Sequence, residues 1–248
     1  MNINDVKVSF ATTTHNETDS LRKLLAQIFS VKQVLDEVIL VDDFSTNEET
    51  QSILADAGTK GAKVFQHALL GDFATHKNFM TSKCKCPYIV NLDADELFSD
   101  NMLTAFREII AINEEVDMFR VPRMNKVEGI TLGHIQQWRW QIFQQRTEIE
   151  DRSLVPTDPL YILLKAHNLI IAEDKGVVKF YTPTINWPDY QTRIYKNDTI
   201  VQWQNKVHEI LVGYKRFSNF PADKKFAILH YKEIKTQEQQ NEFYARIQ

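Results

Sequence analysis

The segment Asp93-Ala94-Asp95-Glu96 puts two carboxylates two residues apart, directly after the apolar run Tyr88-Ile89-Val90-Asn91-Leu92. Strand side chains alternate with period two, so Asp93 and Asp95 at a strand end face one way and can grip a hard divalent cation, Mg2+ or Mn2+. Such an ion keeps positions open for phosphate oxygens and neutralises charge as a phosphate-bearing group leaves. Alone the motif is weak, because Asp and Glu also serve as solvated turn residues. Two further polar clusters strengthen it: Thr12 to Glu17, and Asp42-Asp43.

The elements that position these clusters are readable. Val6 to Ala11 alternates as a strand, and Leu21, Leu24, Leu25 and Ile28 then recur at helical spacing. Glu37 to Val41 is a second strand, followed by a helix for which Ser45 and Glu48 form an expected capping box and Gly58 an expected stop. Ala62 to Gln66 reads as a third strand, Thr75 to Lys83 as a helix, and Tyr88 to Leu92 as a buried strand. Ser99 can cap a helix carrying Leu103, Phe106 and Ile110 on one face, and Met118 to Val121 is again extended. This alternation predicts an α/β, Rossmann-like fold with a mostly parallel sheet and helices on both faces. Ligands bind such sheets outside the carboxyl ends of the strands, where all three polar clusters fall.

Past residue 124 the rhythm breaks. Trp138, Trp140 and Phe143 precede a polar stretch with Asp158-Pro159, then a strand-like Val177 to Tyr181, and a terminal helix is expected from Thr236. Trp138, Trp140, Trp187, Tyr190 and Trp203 are either core or faces on which sugars and bases stack.

With 248 residues, 43% hydrophobic and 25% charged, the chain has the composition of a globular protein with one catalytic domain. A net charge of -4 gives no general pull toward nucleic acid, yet leaves room for a local basic groove. Cys84 and Cys86 are too few for a disulfide framework or a zinc site and are expected as reduced thiols. No leader or membrane-spanning stretch is readable, so a cytoplasmic location is expected.

Four segments, Val8 to Glu17, Glu37 to Thr46, Gly71 to Asn78 and Tyr88 to Glu96, resemble in order and spacing the nucleotide-binding half of family 2 glycosyltransferases with the GT-A fold. Trp187 to Arg193, Val207-His208-Glu209 and His230-Tyr231 resemble the later motifs of the bacterial branch that builds lipopolysaccharide inner core, whereas residues 126 to 186 do not match that branch. The resemblance implies a metal-dependent inverting transferase with a UDP-sugar donor and a glycan acceptor. It divides one catalytic domain into a nucleotide-sugar-binding half, 1–125, and an acceptor-binding half, 126–248. It also implies that Thr14 and Glu17 line the base pocket and Asp42 accepts the uracil N3 hydrogen. Lys77 would face the diphosphate, Asp93 the ribose and metal-bound water, and Asp95 the metal. The plainer readings are a helix cap for Thr14 and a solvated helical face for Lys77.

An inverting transfer needs a base for the acceptor hydroxyl. Glu209 is the first candidate and Asp189 its rival, while His230 or His208 could complete a metal shell or be an ordinary hydrogen-bonded histidine. A sugar nucleotidyltransferase would need a Gly-rich phosphate loop after the first strand, and none is present. The unmatched 126 to 186 segment leaves a lipopolysaccharide-core glycan, a protein or a modified DNA base as acceptor.

Overall fold

Three apolar runs become inner strands because both of their faces are covered. A computed structural model describes residues 1–144 and 148–247. In β1 (Val8–Thr14), α1 (Asp19–Val31), β2 (Glu37–Asp42), α2 (Glu48–Thr59), β3 (Lys63–Gln66), α3 (Phe73–Lys83) and β4 (Tyr88–Asn91) the predicted alternation is realised. Val8, Phe10, Val38, Leu40, Tyr88 and Val90 pack into one core with Leu21, Leu24 and Ile28 of α1 and Ile53 and Leu54 of α2. Their strand neighbours Ala11, Ile39, Val41 and Ile89 pack into another with Ala74 and Met80 of α3. Each fully buried aliphatic or aromatic side chain contributes about 1.5–3 kcal/mol. That two-sided burial is why these strands read as continuous apolar runs.

The chain continues through β5 (Glu96–Phe98), α4 (Asp100–Ile112), β6 (Met118–Glu128), α5 (Leu132–Gln137), β7 (Ile142–Phe143), β8 (Ile149–Ser153), α6 (Pro159–Ala166), β9 (Ile170–Asp174), β10 (Val177–Tyr181) and β11 (Thr184–Lys196). After it come β12 (Gln202–Gln204), β13 (Ile210–Val212), β14 (Phe217–Asn219), β15 (Ile228–Glu233) and α7 (Ile234–Ile247). They make two compact units. The first holds Met1–Pro122, Tyr190–Ile228 and Tyr244–Gln248, the second Arg123–Asp189 and Leu229–Phe243.

In the first unit the sheet order begins β3-β2-β1-β4-β11. The β2–β3, β1–β2 and β1–β4 pairs are parallel, and β11 joins antiparallel with Ile194 opposite Val90. Arg107 on α4 is buried against Asp36, and its Nη1 also donates to the Val6 carbonyl at 2.7 Å, which ties α4 to the entry of β1. In the second unit β8-β10-β9 form an antiparallel sheet whose Val178 and Phe180 pack on Leu160, Tyr161 and Leu164 of α6.

Several expected boundaries shift for local reasons. The cap of α2 is Asn47, whose Oδ1 accepts from Glu49 and Thr50 backbone N–H, and not Ser45. Ser45 is withdrawn from that role because its own N–H donates to the Asp42 carboxylate and its Oγ accepts from Asn16 N–H. Gly58 lies inside the last turn of α2, and α7 begins at Ile234, two residues before Thr236. Ser99 caps α4 as expected. Asp158-Pro159, read as part of a polar stretch, is the cap and first turn of α6, a position suited to proline because its missing N–H is not needed there. Cys84 and Cys86 are free and buried, and burial pushes the Cys84 thiol up to about 12. Among the described residues no helix is long and apolar enough to cross a membrane.

Candidate active site

Parallel pairing brings the polar clusters to one edge. Thr14 is opposite Asp42 across β1 and β2, and Ala11 is opposite Asn91 across β1 and β4, so Asp93 follows at the same end. The loops there are cross-tied: Asn16 Oδ1 accepts from Thr46 and Asn47 N–H at 2.8 and 2.9 Å, and Asp43 Oδ1 accepts from Leu69 N–H at 2.9 Å. Asn16 holds a left-handed backbone with φ 56°, a conformation asparagine tolerates better than most residues. Asp42 is buried and receives Ser45 N–H, while Glu17 receives the Ser20 hydroxyl at 2.7 Å. Thr14 Oγ1 is buried with no hydrogen-bond partner among the described residues, an atom that an entering polar ligand would satisfy.

Helix α3, capped by the Asp72 side chain on Thr75 N–H, delivers Lys77 to the same edge. Its solvated-face reading fails, since Lys77 is only 4% exposed. Lys77 Nζ lies 2.6 Å from Glu209 Oε1, 3.5 Å from Asp93 Oδ1 and 4.8 Å from the centre of the Trp203 ring. Glu209 reaches this point from just before β13, where His208 adopts φ 54° and is itself exposed. The donor-side residues Lys77 and Asp93 and the base candidate Glu209 therefore meet, although they come from three distant segments.

Strand β11 supplies a second cation, to which the sequence motifs alone assign no task. Arg193 donates through Nε and Nη2 to Glu96 at 2.6 and 2.7 Å, and through Nη2 to Asp93 Oδ2 at 2.5 Å. Burial alone would lower its pKa, but Asp93 and Glu96 outweigh that and raise it, so it stays charged. The signal was present in the motif Trp187 to Arg193 and in the fourth residue of Asp93 to Glu96, but which acid pairs with which base requires the fold. Beside these groups is a cavity of about 490 Å3 whose lining includes Lys77, Arg193, Glu209, Trp203, Tyr190 and Tyr214.

Asp189 and His230 fall in the second unit. Asp189 Oδ2 accepts from Arg123 Nε at 3.0 Å, Arg123 Nη2 at 2.7 Å and Asn125 Nδ2 at 2.9 Å. His230 Nδ1 is 2.7 Å from Asn125 Oδ1, to which it must donate. Among the described residues no three His, Cys, Asp or Glu side chains are gathered as a ready metal cage. Asp93 and, two residues on, Asp95 are hard oxygen donors, and the ion pairs of the first unit set three carboxylates (Asp93, Glu96, Glu209) against two cations (Lys77, Arg193). That donor set suits a cation held by one or two carboxylates plus substrate phosphates.

Residues 9–162 match the family model for glycosyl transferase family 2. The chain belongs to glycosyl transferase family 2. An uncharacterized glycosyltransferase of Rickettsia typhi is 35% identical over 109 residues, 44% of this chain and 35% of that protein, and one of Rickettsia prowazekii is 36% identical over 96 residues, 39% and 30%. The match thus spans about a third of the length of these curated relatives. Among solved structures, S. aureus TarS 1-349 aligns with 97% of this chain and 64% of its own, with a TM-score of 0.51 and 16% identity. Its complex with UDP-GlcNAc aligns with 91% and 58%, with a TM-score of 0.53 and 17% identity. The fold is GT-A-like.

Proposed function

We propose that this glycosyltransferase moves a sugar from a UDP-sugar to a hydroxyl of a glycan with inversion at the anomeric carbon, and that the transfer depends on a divalent metal. The observation that carries the reading is the meeting of Lys77, Asp93 and Glu209 at the carboxyl ends of β1, β2 and β4. A diphosphate needs a cation, a ribose and metal need a carboxylate, and an acceptor hydroxyl needs a base. Asp42 accepts the uracil N3 hydrogen, with Thr14 and Glu17 beside the base. Lys77 takes the diphosphate. Asp93 and Asp95 would hold Mn2+ or Mg2+, which offsets the negative charge on the departing diphosphate.

Glu209 takes the proton as the acceptor oxygen bonds to the anomeric carbon, and the carbon–oxygen bond to the diphosphate breaks with its electron pair leaving on UDP. Lys77 meets that developing charge. Asp189 is the alternative base. The cavity beside Glu209 is of a size for a small ligand and is edged by Tyr190, Trp203 and Tyr214, faces suited to sugar rings. TarS, whose fold this chain shares, has been crystallised with UDP-GlcNAc and with UDP, which favours a UDP-sugar donor. The later motifs favour a lipopolysaccharide-core-like acceptor. Residues 1–125 serve the donor and 126–248 the acceptor, with Glu209 the acceptor-side residue that reaches Lys77.

Calorimetric titration with UDP, GDP and ADP, each with Mn2+ and with chelator, tests the donor assignment. UDP should bind at least tenfold more tightly than the other two, and chelator should weaken it. Equal affinities, or indifference to chelator, would sink the proposal.

A further inference from the structure

The active site holds two cations, and the obvious expectation is that both clamp the donor diphosphate. Their environments separate them. Arg193 is 2% exposed and Glu96 is 0% exposed. The guanidinium meets the Glu96 carboxylate in a bidentate fork, and Glu96 Oε2 also accepts from the backbone N–H of Asp93 at 3.2 Å. Glu96 therefore grips both the cation and the loop that carries Asp93. Arg193 Nη1 donates to the Thr192 carbonyl at 3.1 Å and Nη2 also to Asp93 Oδ2, while Asp93 Oδ1 faces Lys77 at the longer distance of 3.5 Å. A bidentate Arg–carboxylate pair is rigid and directional, whereas a lysine ammonium is a point charge on a flexible stem.

We infer that Arg193 and Glu96 are a positioning pair that fixes the Asp93 carboxylate with Oδ1 toward the ligand, and that Lys77, not Arg193, is the diphosphate cation. This rests on the donor-site reading above. Outer partners that orient a ligating carboxylate typically change metal affinity by about 10- to 100-fold when removed. A phosphate ligand would instead change the preference for UDP over uridine.

Two variants separate the roles. Arg193→Lys keeps a charge but replaces the planar fork on Glu96 with a shorter, freely rotating ammonium. Arg193→Leu with Glu96→Leu removes both members, so that no buried ion is left without its partner, and circular dichroism and thermal melting confirm folding. Mn2+ binding in the presence of UDP is read from the electron paramagnetic resonance signal of free Mn2+, and UDP and uridine affinities are read by calorimetry in chelator. The Mn2+ midpoint should rise by about 10-fold or more in both variants, and the UDP-over-uridine preference in chelator should hold within about twofold. A collapse of that preference would make Arg193 a phosphate ligand and overturn the inference. So would an unmoved Mn2+ midpoint in both variants, or UDP binding by the unaltered chain that ignores Mn2+. Failure of the unaltered chain to bind UDP at all is seen before any variant is made and overturns the donor-site reading itself.

Discussion

Arg193 in the first unit and Lys126 in the second are each only 2% exposed, yet their surroundings push them in opposite directions. Arg193 touches Asp93 and Glu96 directly, and these carboxylates more than offset the cost of burial. Lys126 donates to the Thr182 carbonyl at 2.5 Å, and burial lowers it to about 8 although Glu148 and Glu150 pull the other way. Burial alone therefore does not decide a cation's state. The balance between burial and the neighbouring carboxylates does, and around Arg193 the carboxylates prevail.

The comparison breaks most severely if the first unit's carboxylates serve only to hold cations. Asp95→Ala tests this, since Asp95 lies in the turn after β4 and is half-buried rather than core. Sugar transfer should fall to background while circular dichroism and the melting temperature stay near those of the unaltered chain. A variant that unfolds would give Asp95 a structural role, and one that retains turnover would remove it from the metal site.

A smaller effect separates the two base candidates, one in each unit. Glu209 is paired with Lys77, whereas Asp189 is bound by Arg123 and Asn125. Glu209→Gln keeps the shape and removes the basicity, so turnover should fall by about 100-fold or more with UDP affinity little changed. Asp189→Asn should cost less. The reverse order would make Asp189 the base and leave Glu209 as the partner that orients Lys77.

How far the sequence carried differs between the units for a physical reason. In the first, β1, β2 and β4 are buried on both faces and end in polar residues, so periodicity and turn chemistry locate the strands and their polar rim together. The sequence places Asp93, Asp42 and Thr14 at one sheet edge because a strand end is a one-dimensional feature. The Arg193–Glu96 fork is not legible in this way, because it joins residues 97 apart and no local pattern encodes the pairing. Ser45, the expected cap, is drawn away because the Asp42 carboxylate accepts its backbone N–H. In the second unit β8, β9 and β10 have one covered face and many exposed residues, so the apolar signal was thin. Helix α6 was hidden there behind Asp158-Pro159, which also reads as a turn.

The finest test is the titration of Lys126. At low pH both the folded and unfolded chains carry the proton. Between about pH 8 and the ordinary lysine value near 10.4, only the unfolded chain still binds it, so this group makes folding more favourable as pH rises. Cys84 and Cys86 push the other way, because burial raises both thiols and the unfolded chain loses their protons first. Tyr231, raised by burial and by Glu148, adds to that opposing trend above about pH 10. The contribution of Lys126 is therefore read as a difference between the unaltered chain and Lys126→Met, in which the cysteine and tyrosine effects are common to both and cancel. Urea unfolding at steps from about pH 7.5 to 9.5 should shift that difference in favour of the unaltered chain by on the order of 1–2 kcal/mol. A difference that stays flat would mean that Glu148, Glu150 and the Thr182 carbonyl hold the proton on Lys126 as firmly as Asp93 and Glu96 hold the charge on Arg193, and the contrast between the two buried cations would disappear.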